Sequence, residues 1–207
     1  MSAARASVDH PALSARLCLD FSNTVEWRAR EHPQESLTSY ADLVSWGLDA
    51  GIVTNKEARL LLREARRRPD EASAALERAV SLRESIYRIF SSVAAKRRPK
   101  KEDLEILNDA LAEAMAHARV VQAGAGFAWD WAGRERALEG ILWPVVRSVA
   151  VLLTSGDLER VRECAGVGCG WLFVDVSRNR LRRWCDMKSC GNRAKARRHY
   201  ERIKAAR

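Results

Sequence analysis

The stretch that decides the reading of this 207-residue chain is CAGVGCGWLFVDVSRNRLRRWCDMKSC, residues 164–190. Four residues separate Cys164 from Cys169, fifteen separate Cys169 from Cys185, and four separate Cys185 from Cys190. Two close thiol pairs joined by enough chain for a hairpin give a tetrahedral four-thiolate site. Zinc suits it, because the ion imposes no geometry of its own and takes thiolates readily. Protein ligands would fill all four positions and leave none for a reacting water, so the expected cofactor is one structural Zn2+. Four cysteines also serve iron–sulfur clusters; the two tight pairs around a hairpin point to zinc. Gly166, Gly168 and Gly170 supply the backbone freedom that a knuckle around the first pair requires.

The charge sits in the same place. Residues 161–207 hold 13 Lys+Arg against 4 Asp+Glu, which accounts for the whole net charge of +9; residues 1–160 hold 23 of each. Zinc on four thiolates would leave the tail at about +7. Trp171 to Asp175 reads as a strand, Ser177 to Asn179 as a turn, and Arg180 to Trp184 as the return strand. A helix from Asn192 to Lys204 then carries the last ligand at its N-terminus, where a thiolate is favoured. This is a treble-clef-like zinc finger, with Trp171, Phe173, Trp184, Tyr200 and Ile203 as its expected core. Arg178, Arg180 and Arg182 alternate along the hairpin, and Arg193, Lys195, Arg197, Arg198 and Arg202 lie on the helix. Arginine-rich cations on a rigid metal scaffold have the footprint of a nucleic-acid surface. Asn192 is read as capping the knuckle or touching nucleic acid, and Arg193 as contacting phosphate or pairing with Asp175 or Asp186.

Residues 1–160 read as a mainly helical domain. Helices are expected over 13–30, 37–50, 54–68, 70–95, 102–118 and 135–153, the second with Ser36 as N-cap and Gly51 as its stop, the fourth with an apolar stripe through Leu76, Val80, Ile86, Ile89, Phe90 and Val93 and with Arg78, Arg83 and Arg88 off it. Thr54 and Glu57 form a capping box. Pro144 either kinks the last helix or marks its true first turn. A small β-hairpin, 118–122 with 126–131, interrupts the series, its Trp129 and Trp131 expected to pack on the helices. A short helical link over 157–162 leads into the tail. In the first helix Asp20, Asn23, Thr24 and Arg28 lie on nearby turns. They read as a network tying that helix to its neighbours, with a pocket for a small effector as the alternative. Cys18 stands apart as a buried small hydrophobe.

No secretory signal opens the chain, and the most apolar stretch, 141–153, is short and carries Arg147. A cytoplasmic protein without membrane contact is expected, where thiols stay reduced. There is no nucleophile elbow, phosphate loop, metalloprotease helix or dinucleotide fingerprint, so the chain is not read as an enzyme.

The run Cys185-x4-Cys190-Gly191-Asn192-Arg193, with Cys169-Gly-Trp-Leu-Phe173 before it and Lys195-Ala-Arg-Arg-x-Tyr200 after it, resembles the CGNR zinc finger. The body is similar to the helical ABATE domain, a family of proposed stress-induced transcription regulators. The matching stretches are Leu17-Cys-Leu-Asp-Phe-x-Asn-Thr24, 82–90 and Leu142-Trp-Pro144. The resemblance implies a bacterial protein with a zinc-dependent, DNA-binding C-terminus (161–207) behind a helical sensor or dimerisation domain (1–160). An RNA-binding or ribosome-associated zinc protein is the alternative. A homodimer would extend the few base pairs that one small finger reads.

Overall fold

The computed structural model describes residues 11–205, with side chains from Arg16 onward. Two helices form its centre, α1 (Pro11–Ser22) and α6 (Leu142–Leu153). In α6 Leu142, Trp143, Val145, Val146, Val149 and Leu152 are all buried, so the helix is apolar around most of its circumference, as an interior helix must be. Pro144 lies in its first turn, where the missing N–H costs nothing. The expected start at Glu135 is therefore corrected. Residues 133–141 form turns, because the proline ring clashes with a helical carbonyl four residues before it.

The first helix ends at Ser22, not at Arg30. Ser22 Oγ donates to Cys18 O and Thr24 Oγ1 to Phe21 O, and the chain leaves into β1 (Val25–Glu26), paired with β2 (Gln34–Glu35). Asp20 and Thr24 thus do not share a face: Asp20 is exposed and Thr24 buried. Helix α2 (Tyr40–Asp49) is capped by Ser39, whose partner Asp42 completes a capping box, so Ser36 is not its cap. Gly51 follows α2 at φ +71°, where the expected stop needs a residue without Cβ. Thr54 and Glu57 form the expected box of α3 (Asn55–Arg67).

Helix α4 (Pro69–Ala94) spans the molecule and buries Ala72, Ala75, Ala79, Leu82, Ile86, Ile89 and Phe90. Arg83, read from sequence as lying off that face, is on it and only 1% exposed. Helix α5 (Lys101–His117) buries Leu107 and Ala114, whereas Met115 is exposed. It runs into the hairpin β3 (Ala118–Ala123) and β4 (Gly126–Trp131). Trp131 packs inward beside Trp143. Trp129 stays partly exposed beneath the Arg147 guanidinium, and Phe127 is 78% exposed. Among the described residues no helix is long and apolar enough to cross a membrane.

The C-terminal segment departs from the expected strand pairing. Strand β6 (Leu172–Val174) pairs with β5 (Val161–Glu163), ahead of the first cysteine pair, and not with 180–184. Asp175 explains why the chain does not turn straight back as a strand. Its buried carboxylate accepts from the amides of Ser177 and Arg182, each at 2.9 Å, which knots 175–182 into a loop. Arg180 takes φ +52° within that loop, so Arg178, Arg180 and Arg182 do not form the expected strand face. A π-turn (Met187–Gly191) then leads into α7 (Asn192–Ala205). No residue of α7 is buried. Tyr200 and Ile203, expected in the finger core, are 68% and 44% exposed, because the helix does not fold back over the knuckle.

Candidate functional site

The first cysteine pair sits in the turn of the β5–β6 hairpin. Cys164 follows β5 directly, its amide donating to Trp171 O, and Cys169 N–H donates to Gly166 O. Of the second pair Cys185 precedes the π-turn and Cys190 lies within it, where Asp186 caps the amide of Ser189 at 2.7 Å and sets Cys190 at the root of α7. The four Sγ atoms lie within 4.8 Å of one another. Cys169–Cys185 and Cys185–Cys190 are each 3.7 Å apart. A tetrahedral zinc with Zn–S near 2.3 Å places its sulfurs about 3.8 Å apart. The donor set therefore fits a closed four-thiolate zinc site.

Its surroundings stabilise thiolates. Cys164 Sγ accepts from the amides of Gly166 (3.4 Å) and Cys185 (3.3 Å), and Cys190 Sγ accepts from the Arg193 guanidinium at 3.0 Å. Among the sulfurs themselves, hydrogen bonds lower the Cys164 thiol and in return raise those of Cys169 and Cys185, so without a cation only part of the set ionises easily. Phe173, Trp171 and Trp184 enclose the cluster. Gly166 is required by crowding: a Cβ there would stand 3.0 Å from Cys190 Sγ and 3.3 Å from Cys164 Sγ.

The metal centre is built against the helical body. The Asn23 side chain donates to Leu172 O and accepts from Leu172 N–H, both at 2.9 Å, completing the edge of β6 that β5 leaves unpaired. Arg28 N–H donates to Cys169 O, and Trp171 Nε1 donates to Val25 O. Val161, Leu172 and Val174 belong to the main core rather than to the finger's own. Gly170, at φ +69°, lets the knuckle approach α4: a Cβ there would meet Arg28 Cβ at 3.0 Å and the Tyr87 hydroxyl at 3.3 Å.

The sequence matches the ABATE family, described as "Putative stress-induced transcription regulator", over residues 15–156, and the CGNR zinc finger over residues 160–203. The chain belongs to the ABATE family. Among curated proteins, none matches it. Cys164, Cys169, Cys185 and Cys190 form the zinc site of the CGNR finger and hold one structural Zn2+.

Of the four residues grouped on the first ABATE helix, Asn23 and Arg28 belong to the body–finger junction and Thr24 to the body beneath it. Asn23 clamps β6. Thr24 Oγ1 accepts from Arg83. Arg28 lies in the loop after β1, makes paired bonds to Glu84 at 2.7 and 3.0 Å, donates to Ser22 O and stacks on Tyr87. Asp20 is apart from them on the exposed side of α1. Cys18 is fully buried beside Ser148, and burial pushes its thiol up to about 12.

The basic residues of the CGNR finger divide by partner. Arg182 is engaged within the fold: it donates to the carbonyls of Trp184 and Cys185 and lies over Phe173. Arg193 bonds the Cys190 thiolate, not Asp175 or Asp186, and its guanidinium lies over Trp27. Asn192 donates to Lys188 O and so fastens the π-turn to α7. Arg197 pairs with Glu201, the one acid on α7. Arg178, Arg180, Lys195, Arg198 and Arg202 are exposed. Sequence reasoning missed Trp27 and Arg83, the first because it was placed inside a helix, the second because its face was assigned from neighbouring apolar residues.

Proposed function

We propose that this protein is a DNA-binding transcription regulator of the cytoplasm, with α7 and the 178–183 loop as its nucleic-acid surface and the ABATE body as the element that carries it. The observation that supports this most directly is the state of α7. It projects from the zinc centre with no buried residue, about 21 Å of helix bearing cations on nearly every turn. A helix that the core does not use, fixed at its root by a metal and carrying a net +5 of the chain's +9, fits insertion against a phosphate backbone. The closed thiolate sphere leaves the zinc no open position, so the metal supplies rigidity rather than reaction chemistry.

Selection of bound fragments from genomic DNA, run against an RNA competitor, tests the reading. An enriched site bound in preference to RNA is expected. No enriched site, with RNA bound equally well, would overturn it in favour of an RNA-binding zinc protein. Arg197→Ala and Arg198→Ala are each expected to flatten the dependence of log K on log salt by about 0.9 per lost phosphate contact.

A further inference from the structure

Trp27 stands at the junction in a conformation that needs explaining. Its φ is +56°, in the left-handed region that a bulky L-residue rarely adopts, and such strain persists only where the surroundings impose it. Two guanidinium groups lie over its indole. Arg30, from the same loop of the body, is 3.7 Å from the ring centroid, and Arg193, from the first turn of α7, is 4.5 Å from it. By those two distances the cations stand within roughly 8 Å of one another, inside a Debye length, so they repel. Among the described residues no carboxylate pairs with either, and both are exposed.

Both are also held in place. The Arg30 side chain lies across the knuckle backbone at Gly168, so near that a Cβ there would come within 2.7 Å of its Cγ and 2.9 Å of its Nε. Arg193 is tied at its other side to the Cys190 sulfur, and Arg28 N–H fastens the loop to Cys169 O. Two like charges held over one ring without a counter-charge are the arrangement that an anion completes.

We propose that Arg30 of the body and Arg193 of the finger, stacked on Trp27, form one clamp for a backbone phosphate of the bound nucleic acid. This rests on the nucleic-acid reading above and extends its interface beyond the finger. Trp27 is the positioning residue: both guanidinium groups lie over its one ring, which fixes their separation. The phosphate accepts from both, and the contact is made only while the zinc knuckle and the 27–30 loop are docked.

The test uses the full-length, zinc-loaded protein and a short DNA duplex of mixed sequence, with affinity measured across a salt series. Arg30→Ala is expected to flatten the slope of log K against log salt by about 1, uniformly across sequences. Arg59→Ala, an exposed arginine of α3, should leave the slope unchanged. The Arg30→Ala/Arg193→Ala double variant should lose little more than either single variant, because one phosphate needs both groups. Arg193→Ala can disturb the thiolate it touches, so zinc content is measured in each variant and Arg30→Ala decides the matter. Binding by the unsubstituted protein with an unchanged slope in Arg30→Ala overturns the clamp alone, as do additive losses in the double variant. Failure of the unsubstituted protein to bind any nucleic acid overturns the function on which the clamp rests.

Discussion

Arg83 has its charge in the interior of the helical body, where an ion is stable only when paired and fully bonded. Its guanidinium makes two 2.6 Å bonds to Glu35 and further bonds to Glu84 and Thr24. The two partners are unequal: Glu35 is partly exposed and can rehydrate, whereas Arg83 cannot. Glu35→Ala is therefore expected to destabilise the protein by about 3 kcal/mol in denaturant titrations, and Arg83→Met by clearly less. The reverse order would show that Arg83 acts chiefly through packing. The same pairing sets an acid limit. Burial raises the pKa values of Glu35 and Glu84, but the bonds from Arg83 and Arg28 outweigh it and hold both carboxyls below the ordinary range. Their contribution is complete above the unfolded value near ~4.3 and is lost as pH falls through the folded values. Denaturation midpoints should fall steeply below that pH in the parent protein and less steeply in Glu35→Ala. At the metal, Gly166→Ala would press a methyl group between two ligand sulfurs. A ten- to hundredfold loss of zinc affinity, about the range for a disturbed second shell, is expected in chelator competition. Unchanged affinity would mean that the knuckle can relax around a Cβ.

At the scale of elements, β6 is held by a side chain acting as a strand. Asn23 stands 149 positions before Leu172 and occupies its N–H and C=O together. Asn23→Ala removes both bonds and leaves two backbone groups at the junction without partners. A loss of about 2–3 kcal/mol is expected, with faster amide exchange at Leu172. Exchange at Leu172 as slow as in the parent would show that β5 alone secures the strand. No local signal announces such a contact, because Asn after a helix is equally an ordinary stop. The elements that sequence did disclose are those closed over a few residues: the Thr54–Glu57 box, Gly51 at the end of α2, and the cysteine pairs themselves. The misplaced ones depended on distant partners. Ser36 and Ser39 are both serines ahead of the apolar run, and the distinguishing acid, Asp42, matters only through its cap geometry. The partner of β6 lies ahead of Cys164 rather than at 180–184, and sequence does not announce it because β5 is three residues long and its apolar Val161 serves the core of the body. Tyr200 and Ile203 were expected inside because apolar residues on a helix ordinarily have something to pack against. Here Tyr200 and Ile203 have no such partner, so removing residues 195–207 should leave melting temperature and zinc content nearly unchanged while strongly weakening nucleic-acid binding. A large drop in melting temperature would refute the unpacked helix.

At the scale of the molecule, the zinc finger completes the helical body as well as being attached to it. Val161, Leu172 and Val174 contribute to the main core, while Asn23, Val25 and Arg28 bond directly to the knuckle and its strand. The segment from Asn23 to Glu35 is thereby held between the two, and it delivers Glu35 to the buried Arg83. A path of contacts thus runs from the cysteine sulfurs through Cys169 O, Arg28 and Glu84 to Arg83, with each link a hydrogen bond or ion pair. If the ion fixes the knuckle, and the knuckle fixes that segment, then metal binding energy is folding energy for the whole chain. The zinc-loaded protein is expected to unfold in one cooperative transition by calorimetry. Chelation should move that whole transition to lower temperature, and amide protection over residues 23–36 should fall before that of α6, which lies wholly within the body. Two separate transitions, with the larger one indifferent to chelator, would show instead that the finger is a detachable module. In that case Arg83 and Glu35 would keep their pairing without the metal, and the acid limit argued above would be the same in the apo and zinc-loaded proteins. The fold places Glu35 and the knuckle on the two ends of one short segment, so the expected result is that stripping the metal shifts the acid limit toward neutral pH.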